Sequence, residues 1–174
     1  MRKTRSIVDK KPSAPAISAA SKQFDRIIAR LTSADDDRRK KAVIRVLAGT
    51  KPPVRERIID HIIKLLKGRD ELTRRRAATS LAEMSDVCVP ALRDSFLNAR
   101  DSAFKLRLAD VLGRVGTKLS PANQAAIQIC LGMSLSGRRS QKVYVAILDA
   151  LDQMTPGAAA AEIAVQLAIA KRKS

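Results

Sequence analysis

Leu66-Lys67-Gly68-Arg69-Asp70 is the stretch that decides the fold, because it recurs along the chain. Leu97-Asn98-Ala99-Arg100-Asp101 repeats it 31 residues later, and Leu135-Ser136-Gly137-Arg138-Arg139 repeats it more loosely after a further 38. Each copy ends one apolar pattern with helical spacing and precedes another. Repeats of this length are typical of stacked helical hairpins, each of which buries its apolar face against its neighbours.

The composition points to close helix packing and to anionic partners. Apolar residues make up 45% of the 174 residues but aromatic residues only 2%, so Leu, Ile, Val and Ala must fill the core. The 34 basic residues exceed the 17 acidic ones, which gives a net charge of +17 and a pI near 10.8. A charge this large attracts nucleic acid, acidic proteins or an anionic membrane surface.

Apolar residues at i, i+3 and i+4 predict helices along most of the chain. We expect a disordered basic arm over residues 1–17, a single domain over residues 18–174, and a first helix over about 18–31. Four hairpins follow, with first helices at about 36–49, 70–84, 101–115 and 140–154, and second helices at about 53–67, 89–99, 121–136 and 156–171. Pro53, Pro90, Pro121 and Pro156 suit the first turns of the second helices. The predicted fold is all-α, a short α-solenoid of about four helical hairpins plus one N-terminal helix.

The segment RRRAATSLAEMSDVCVPALRDSFLNARD (Arg74 to Asp101) resembles a HEAT repeat of the bilin-lyase-like subclass, an armadillo-type fold. Lys105 to Gly116 resembles the first helix of that repeat again, and Arg38 to Gly49 does so more loosely. Repeats of this type serve as scaffolds, as lyases and as DNA-repair enzymes. The resemblance therefore implies an architecture without naming an activity.

The recurring loops place Arg69, Arg100 and Arg138 at equivalent positions, which would line up along one edge of a stack. Such a ridge could meet successive anionic groups of a partner. Alternatively, the arginines and the neighbouring Asp70 and Asp101 could tie one repeat to the next. The sequence leaves both interpretations open.

Basic runs near the predicted helix starts supply a second group of candidates. These runs are Arg38–Lys41, Arg74–Arg76 and Lys105 with Arg107. Most of their charges have an acid four residues earlier, the favourable order for an ion pair; these pairs are Asp36–Lys40, Asp37–Lys41, Asp70–Arg74, Glu71–Arg75 and Asp101–Lys105. Arg76, Arg107 and Arg139 have no such acid, which leaves them available for a partner. The candidate partner-binding or nucleic-acid-binding residues are therefore Arg69, Arg76, Arg100, Arg107, Arg138 and Arg139.

Few residues suit catalysis or metal binding. His61 is the only histidine, and Cys88 and Cys130 lie among apolar residues without metal-ligand spacing. We therefore predict no enzyme, no metal and no cofactor. A HEAT-like alkylpurine DNA glycosylase would need aromatic contacts and a positioned acid, neither of which the sequence indicates. No apolar run is long enough for a membrane span, and the basic N-terminus has no apolar signal segment, so we expect a cytoplasmic protein without membrane insertion.

Two binding functions fit these features. The first is a non-enzymatic scaffold or adaptor that docks an acidic partner through a basic edge. The alternative is a sequence-nonspecific nucleic-acid-binding protein that contacts the duplex backbone, since so few aromatic residues disfavour stacking on single strands. The C-terminal hairpin carries few charges, so it is also a candidate surface for self-association.

Overall fold

The computed structural model describes the backbone of residues 14–135 and 140–173 and the side chains of residues 21–135 and 140–165. The described chain is helical and contains no strand, which confirms the all-α prediction. A 3-10 turn, Ser85–Cys88, joins the fourth and fifth helices. The helices are α1 (Ala14–Leu31), α2 (Asp36–Gly49), α3 (Pro52–Leu65), α4 (Glu71–Met84), α5 (Val89–Asn98), α6 (Ser102–Gly116), α7 (Pro121–Leu135), α8 (Gln141–Met154) and α9 (Ala158–Lys173).

The recurring Asp of the loops is a helix cap. Asp70 accepts hydrogen bonds from the amides of Leu72 and Thr73, and Asp101 accepts one from the amide of Ala103. Asp35 caps α2 in the same way. Because an N-cap carboxylate satisfies amides that have no helical partner, this local contact fixes the starts of α2, α4 and α6.

Two helix starts differ from the prediction by more than one residue. α1 begins at Ala14, four residues before the predicted start, because Pro15 is compatible with the first helical turn. α9 begins at Ala158, two residues beyond Pro156, because Gly157 adopts a φ of +86° that an α-helix cannot contain. Pro156 therefore lies in the turn before α9. The rest of the predicted basic arm, residues 1–13, lies outside the described residues.

The helices form two layers. The first layer consists of α2, α4, α6 and α8, each packed on the next, and the second consists of α1, α3, α5 and α7. Between the layers, α1 packs on α2, α3 on α4, α5 on α6 and α7 on α8, while α9 packs on α8. Leu81 and Leu112, at equivalent positions of α4 and α6, are fully buried in the core.

The most extensive helix–helix contact joins α6 and α8. A Cβ atom added to Gly113 would lie 3.0 Å from the Cα of Ala150, and one added to Gly116 would overlap the side chain of Met154. The sequence places these glycines near a helix end. The structure shows that they also let two helices approach closely, since neither has a side chain to hold α8 away.

No helix in the described part of the chain is long and apolar enough to cross a membrane.

Candidate anion-binding clefts

The basic runs lie at the N-terminal ends of the first-layer helices, where they would oppose the helix dipole. Part of this conflict is resolved by hydrogen bonds to the preceding loop. Nη1 of the buried Arg39 donates to the carbonyls of Ser33 (2.6 Å) and Ala34 (3.2 Å). Arg74, at the equivalent position of α4, donates in the same way to Gly68 (2.9 Å) and Arg69 (2.5 Å). These two arginines therefore tie the loops to the helices that follow them.

The predicted ion pairs form only in part. Glu71 pairs with Arg75 as expected. Asp36 instead pairs with Arg39, one residue earlier than predicted. Asp70 is engaged as the cap of α4, and the hydrogen bonds from Thr73, followed by that from Leu72, hold the pKa of its carboxyl below the ordinary value. The spacing in the sequence predicted that Asp70 and Arg74 form an ion pair. In the structure, Asp70 caps α4 and Arg74 donates to loop carbonyls.

The candidate arginines of the predicted basic edge lie in different surroundings. Arg69 and Arg100 are exposed in loops, whereas Arg76 and Arg107 are half-buried on α4 and α6. Arg100 lines a cleft between α3 and α5, and Arg107 lines a separate cleft between α4 and α6. Arg138 and Arg139 lie outside the described residues. The four described candidates therefore do not line one shared cleft.

Arg107 has a structural contact that its sequence context could not reveal. Its Nη1 donates to the carbonyl of Leu66, at the end of α3, over 2.8 Å. Arg76, at the equivalent position of α4, makes no hydrogen bond or ion pair within the described residues. On α4 the corresponding carbonyl, that of Leu31, accepts instead from Ser80 Oγ (2.5 Å). Two residues that are equivalent in sequence thus have different surroundings.

The α4/α6 cleft has a volume of 220 Å³, and four of its nine lining residues are arginines. Ion pairs hold two of its arginines, Arg75 with Glu71 and Arg114 with Asp110, the latter at 2.9 Å. Its polar lining residues are Arg74, Arg75, Arg107, Arg114, Glu71 and Asp110. Four guanidinium groups face two carboxylates here, so an excess of positive charge remains.

The α3/α5 cleft around Arg100 has a different character. Its basic residues, Lys64, Lys67 and Arg100, are matched by the acidic Asp60, Asp94 and Asp101. The ammonium of Lys67 lies 4.6 Å from the ring centre of Phe104, a cation–π distance. Because its charges balance, this cleft offers an anion little net attraction.

A third cleft, the α1/α2 groove, was missed as a site by the sequence analysis. It has a volume of 390 Å³ and is lined by Arg30 of α1 and by Arg38, Lys41, Ala42 and Arg45 of α2. None of these lining residues is acidic. The sequence signal was present, since positions 38, 41 and 45 share a helix face. Recognising it required knowing that no other helix in the described part of the chain covers that face.

The remaining chemically active groups are structural. His61 packs edge-to-face on Phe24, with ring centres 5.4 Å apart. Cys88 and Cys130 are free and buried, and burial raises the pKa of the Cys88 thiol to about 12, which keeps it protonated. Within the described residues, no group of His, Cys, Asp and Glu side chains could hold a metal ion.

Comparison with known proteins adds little to this picture. No protein-family model matches the chain. No curated protein matches it either. Among solved structures, the crystal structure of an engineered protein aligns with 76% of this chain, at 19% sequence identity and a TM-score of 0.39. The chain spans 62% of that engineered protein. A likeness this distant carries no functional argument.

Proposed function

We propose that this protein is a non-enzymatic, HEAT-type helical-repeat scaffold that docks an acidic partner through the basic clefts of its first layer. The supporting observation is the lining of two clefts. The α4/α6 cleft has four arginines against two acidic residues, and the α1/α2 groove has four basic residues and no acid. Clefts with one sign of charge focus the local field and attract partners of the opposite sign.

A sequence-nonspecific nucleic-acid-binding protein is the second candidate function. The α1/α2 groove favours it, because that lining combines cations with a single small apolar side chain. Phosphate contacts need only positive charge at suitable intervals and carry no base specificity.

Binding to two defined polyanions tests the proposal. The full chain is titrated with poly-L-glutamate and with a 20-base-pair DNA duplex at physiological salt. We expect at least one of them to bind with a dissociation constant well below millimolar. The paired substitution Arg75→Gln and Arg114→Gln should weaken this binding, because it removes two cations from the α4/α6 cleft and leaves both carboxylates. The control substitution Lys51→Gln and Lys118→Gln changes two exposed cations elsewhere. Millimolar or weaker binding of both polyanions would contradict the proposal.

We further propose that the C-terminal end mediates self-association. Three large apolar side chains are exposed around the α7/α9 groove: Ile129 (63% exposed), Met133 (71%) and Val165 (51%). α7 carries no charged residue. Because each copy carries +17, two copies repel least where their cations are absent, which makes this face the favourable one for a second copy.

Sedimentation velocity tests this surface. The wild-type chain should show a concentration-dependent shift towards a dimer, and Ile129→Lys with Met133→Lys should abolish it. A wild-type protein that stays monomeric at all concentrations would contradict self-association. We also propose a cytoplasmic location, which the free, buried Cys88 and Cys130 support.

A further inference from the structure

The α1/α2 groove lies at an end of the first layer that no other helix of residues 14–135 and 140–173 covers. Inside the stack, α4 packs against α2 and also against the end of α1, and α6 packs against α4. Counted from the capping aspartates, Arg45 corresponds to Ser80 of α4 and to Val111 of α6. Ser80 and Val111 are buried, at 0% and 1% exposure, whereas Arg45 is exposed. The position that holds a buried residue in α4 and α6 thus holds an exposed arginine in α2, at the N-terminal end of the stack.

A second position on this face differs in the same direction. Arg38 of α2 corresponds to the half-buried Thr73 of α4 and to the buried Phe104 of α6. A third position is basic in all three helices, but Lys41 is exposed whereas Arg76 and Arg107 are half-buried. An end helix needs a polar outer face for solubility, and a mixture of charges would meet that need. The α1/α2 groove is instead lined by cations alone.

Few contacts within the described residues involve the charged groups of this groove. The side chains of Arg30, Lys41 and Arg45 make no hydrogen bond or ion pair within the described residues. Arg38 pairs with Asp35 at 3.2 Å, and both side chains are at least half exposed. Exposed pairs of this kind contribute little and exchange readily for another anion. The groove therefore presents four cations to a ligand.

We propose that the α1/α2 groove binds the phosphodiester backbone of duplex nucleic acid. This inference rests on the proposed function and names the partner of one of its clefts. The cations of α2 recur along one helix face, and at 1.5 Å per residue the span from Arg38 to Arg45 is about 10 Å. Phosphates of one strand follow one another every 3.4 Å along the duplex axis, so this span covers about three of them.

α1 extends the cationic surface. Lys22 and Arg26 are exposed and precede Arg30 at four-residue intervals, so all three share one face of α1. Arg30 belongs to the groove lining, which joins this row to the cations of α2. Each of two adjacent helices thus carries a row of positive charge, and the α1 row reaches the groove at Arg30, an arrangement that suits a polyanion rather than a single ion.

The lining favours a duplex over the other polyanions. Stable protein interfaces depend on apolar and aromatic anchors, and the only apolar residue of the groove lining is Ala42. Single-strand binding depends on aromatic side chains that stack on bases, and the groove lining has none. Phe24, the aromatic residue of α1, packs against His61 of α3. Backbone contacts to a duplex require neither feature.

The dependence of affinity on salt tests the groove. The logarithm of the association constant for a 20-base-pair duplex is measured against the logarithm of salt concentration. Each neutralised phosphate contributes a slope of about −0.9, so Arg30→Gln, Lys41→Gln and Arg45→Gln together should reduce the steepness by about 2.7. The control substitution Lys51→Gln, Lys118→Gln and Lys142→Gln removes the same charge from exposed positions outside the groove and should change the slope by less than about 1. Circular dichroism verifies that both variants fold.

The outcomes separate this inference from the proposed function. If both triple variants lose the same amount of slope, the duplex is attracted by the overall charge of the protein. This result would contradict binding at the α1/α2 groove. Binding of poly-L-glutamate without binding of the duplex would overturn the groove and leave the scaffold function standing. If neither ligand binds, both proposals fail. Arg30→Lys with Arg45→Lys should keep the wild-type slope, because phosphate neutralisation depends on charge. A reduced slope would contradict binding by charge alone and would indicate bidentate contacts between the guanidinium groups and the phosphates.

Discussion

The two ends of this helical stack leave chemically different faces uncovered. At the N-terminal end, the open face of α2 carries Arg38, Lys41 and Arg45. Towards the C-terminal end, α7 presents the exposed apolar side chains of Ile129 and Met133. Inside the stack, Phe104 and Val111 of α6, which correspond to Arg38 and Arg45, are buried. The difference indicates that an end helix is free to carry binding chemistry, because its outer face is released from the demands of packing.

The largest expected effect contrasts one position at the end of the stack with its equivalent inside. Phe104 and Arg38 both lie three residues after a capping aspartate, but only Phe104 is buried. Phe104→Ala should lower the free energy of unfolding by about 3–5 kcal/mol, the usual range for a buried phenylalanine. Arg38→Ala should change it by no more than about 0.5 kcal/mol. Urea unfolding measures both, and similar losses would break the comparison.

A smaller contrast concerns the two half-buried arginines. Arg107→Gln removes a hydrogen bond of 2.8 Å from a guanidinium to the Leu66 carbonyl and should cost about 1.5 kcal/mol. Arg76→Gln removes no hydrogen bond within the described residues, so its effect on stability should stay within about 0.5 kcal/mol. Thermal unfolding of the two variants measures the difference. A larger loss for Arg76→Gln than for Arg107→Gln would contradict the assigned contact.

Two glycine substitutions should differ in sign. An added Cβ at Gly113 meets Ala150 of α8, so Gly113→Ala should introduce strain of about 1–3 kcal/mol, offset by about 1 kcal/mol of better helix propensity. An added Cβ at Gly49, at the end of α2, meets nothing within 4 Å. Gly49→Ala should therefore stabilise the protein by about 0.4–1 kcal/mol. Chemical unfolding would contradict this contrast if both substitutions proved stabilising.

The smallest effect is expected in acid, at the cap of α4 between the two ends. Hydrogen bonds from Thr73 hold the pKa of Asp70 below its ordinary value of 3.8. A lowered pKa in the folded state stabilises the protein above pH 3.8, and this contribution is lost as the pH falls through the folded-state pKa. The stability difference between the wild type and Asp70→Asn should therefore shrink in that range. Denaturation midpoints of the wild type and Asp70→Asn are measured from pH 6 to pH 2. A stability difference that grew on acidification would contradict this prediction.

Local patterns predicted the helices well. The first-layer helices α2, α4, α6 and α8 begin and end within about one residue of the predicted bounds, because each capping residue and apolar stripe acts within a few residues of itself. The start of α9 was less predictable. The proline at position 156 suggested a first turn, but the backbone of Gly157 delays the helix.

The sequence predicted the positive charge of the candidate clefts but not which arginines are free of internal contacts. The excess of arginine and lysine was visible in the composition, and positive clefts follow from it. Counting acids four residues upstream could not identify the free arginines, since Arg39 and Arg74 donate to loop carbonyls and Arg107 donates to a helix end 41 residues away. Such partners depend on how the loops turn and on which helices lie side by side.

The sequence by itself determined the helices, their caps and the sign of the charge that the protein presents, because these depend on near neighbours and on composition. Only the tertiary structure decided which cations remain available to a partner. Ser80 of α4 and Val111 of α6 are buried inside the stack, where Ser80 donates to the Leu31 carbonyl at the end of α1. α2 comes first in that layer, so no other helix of the described residues covers the corresponding face and Arg45 is exposed. Burying an unpaired charge is costly, and an uncovered end of the stack allows this one to remain exposed.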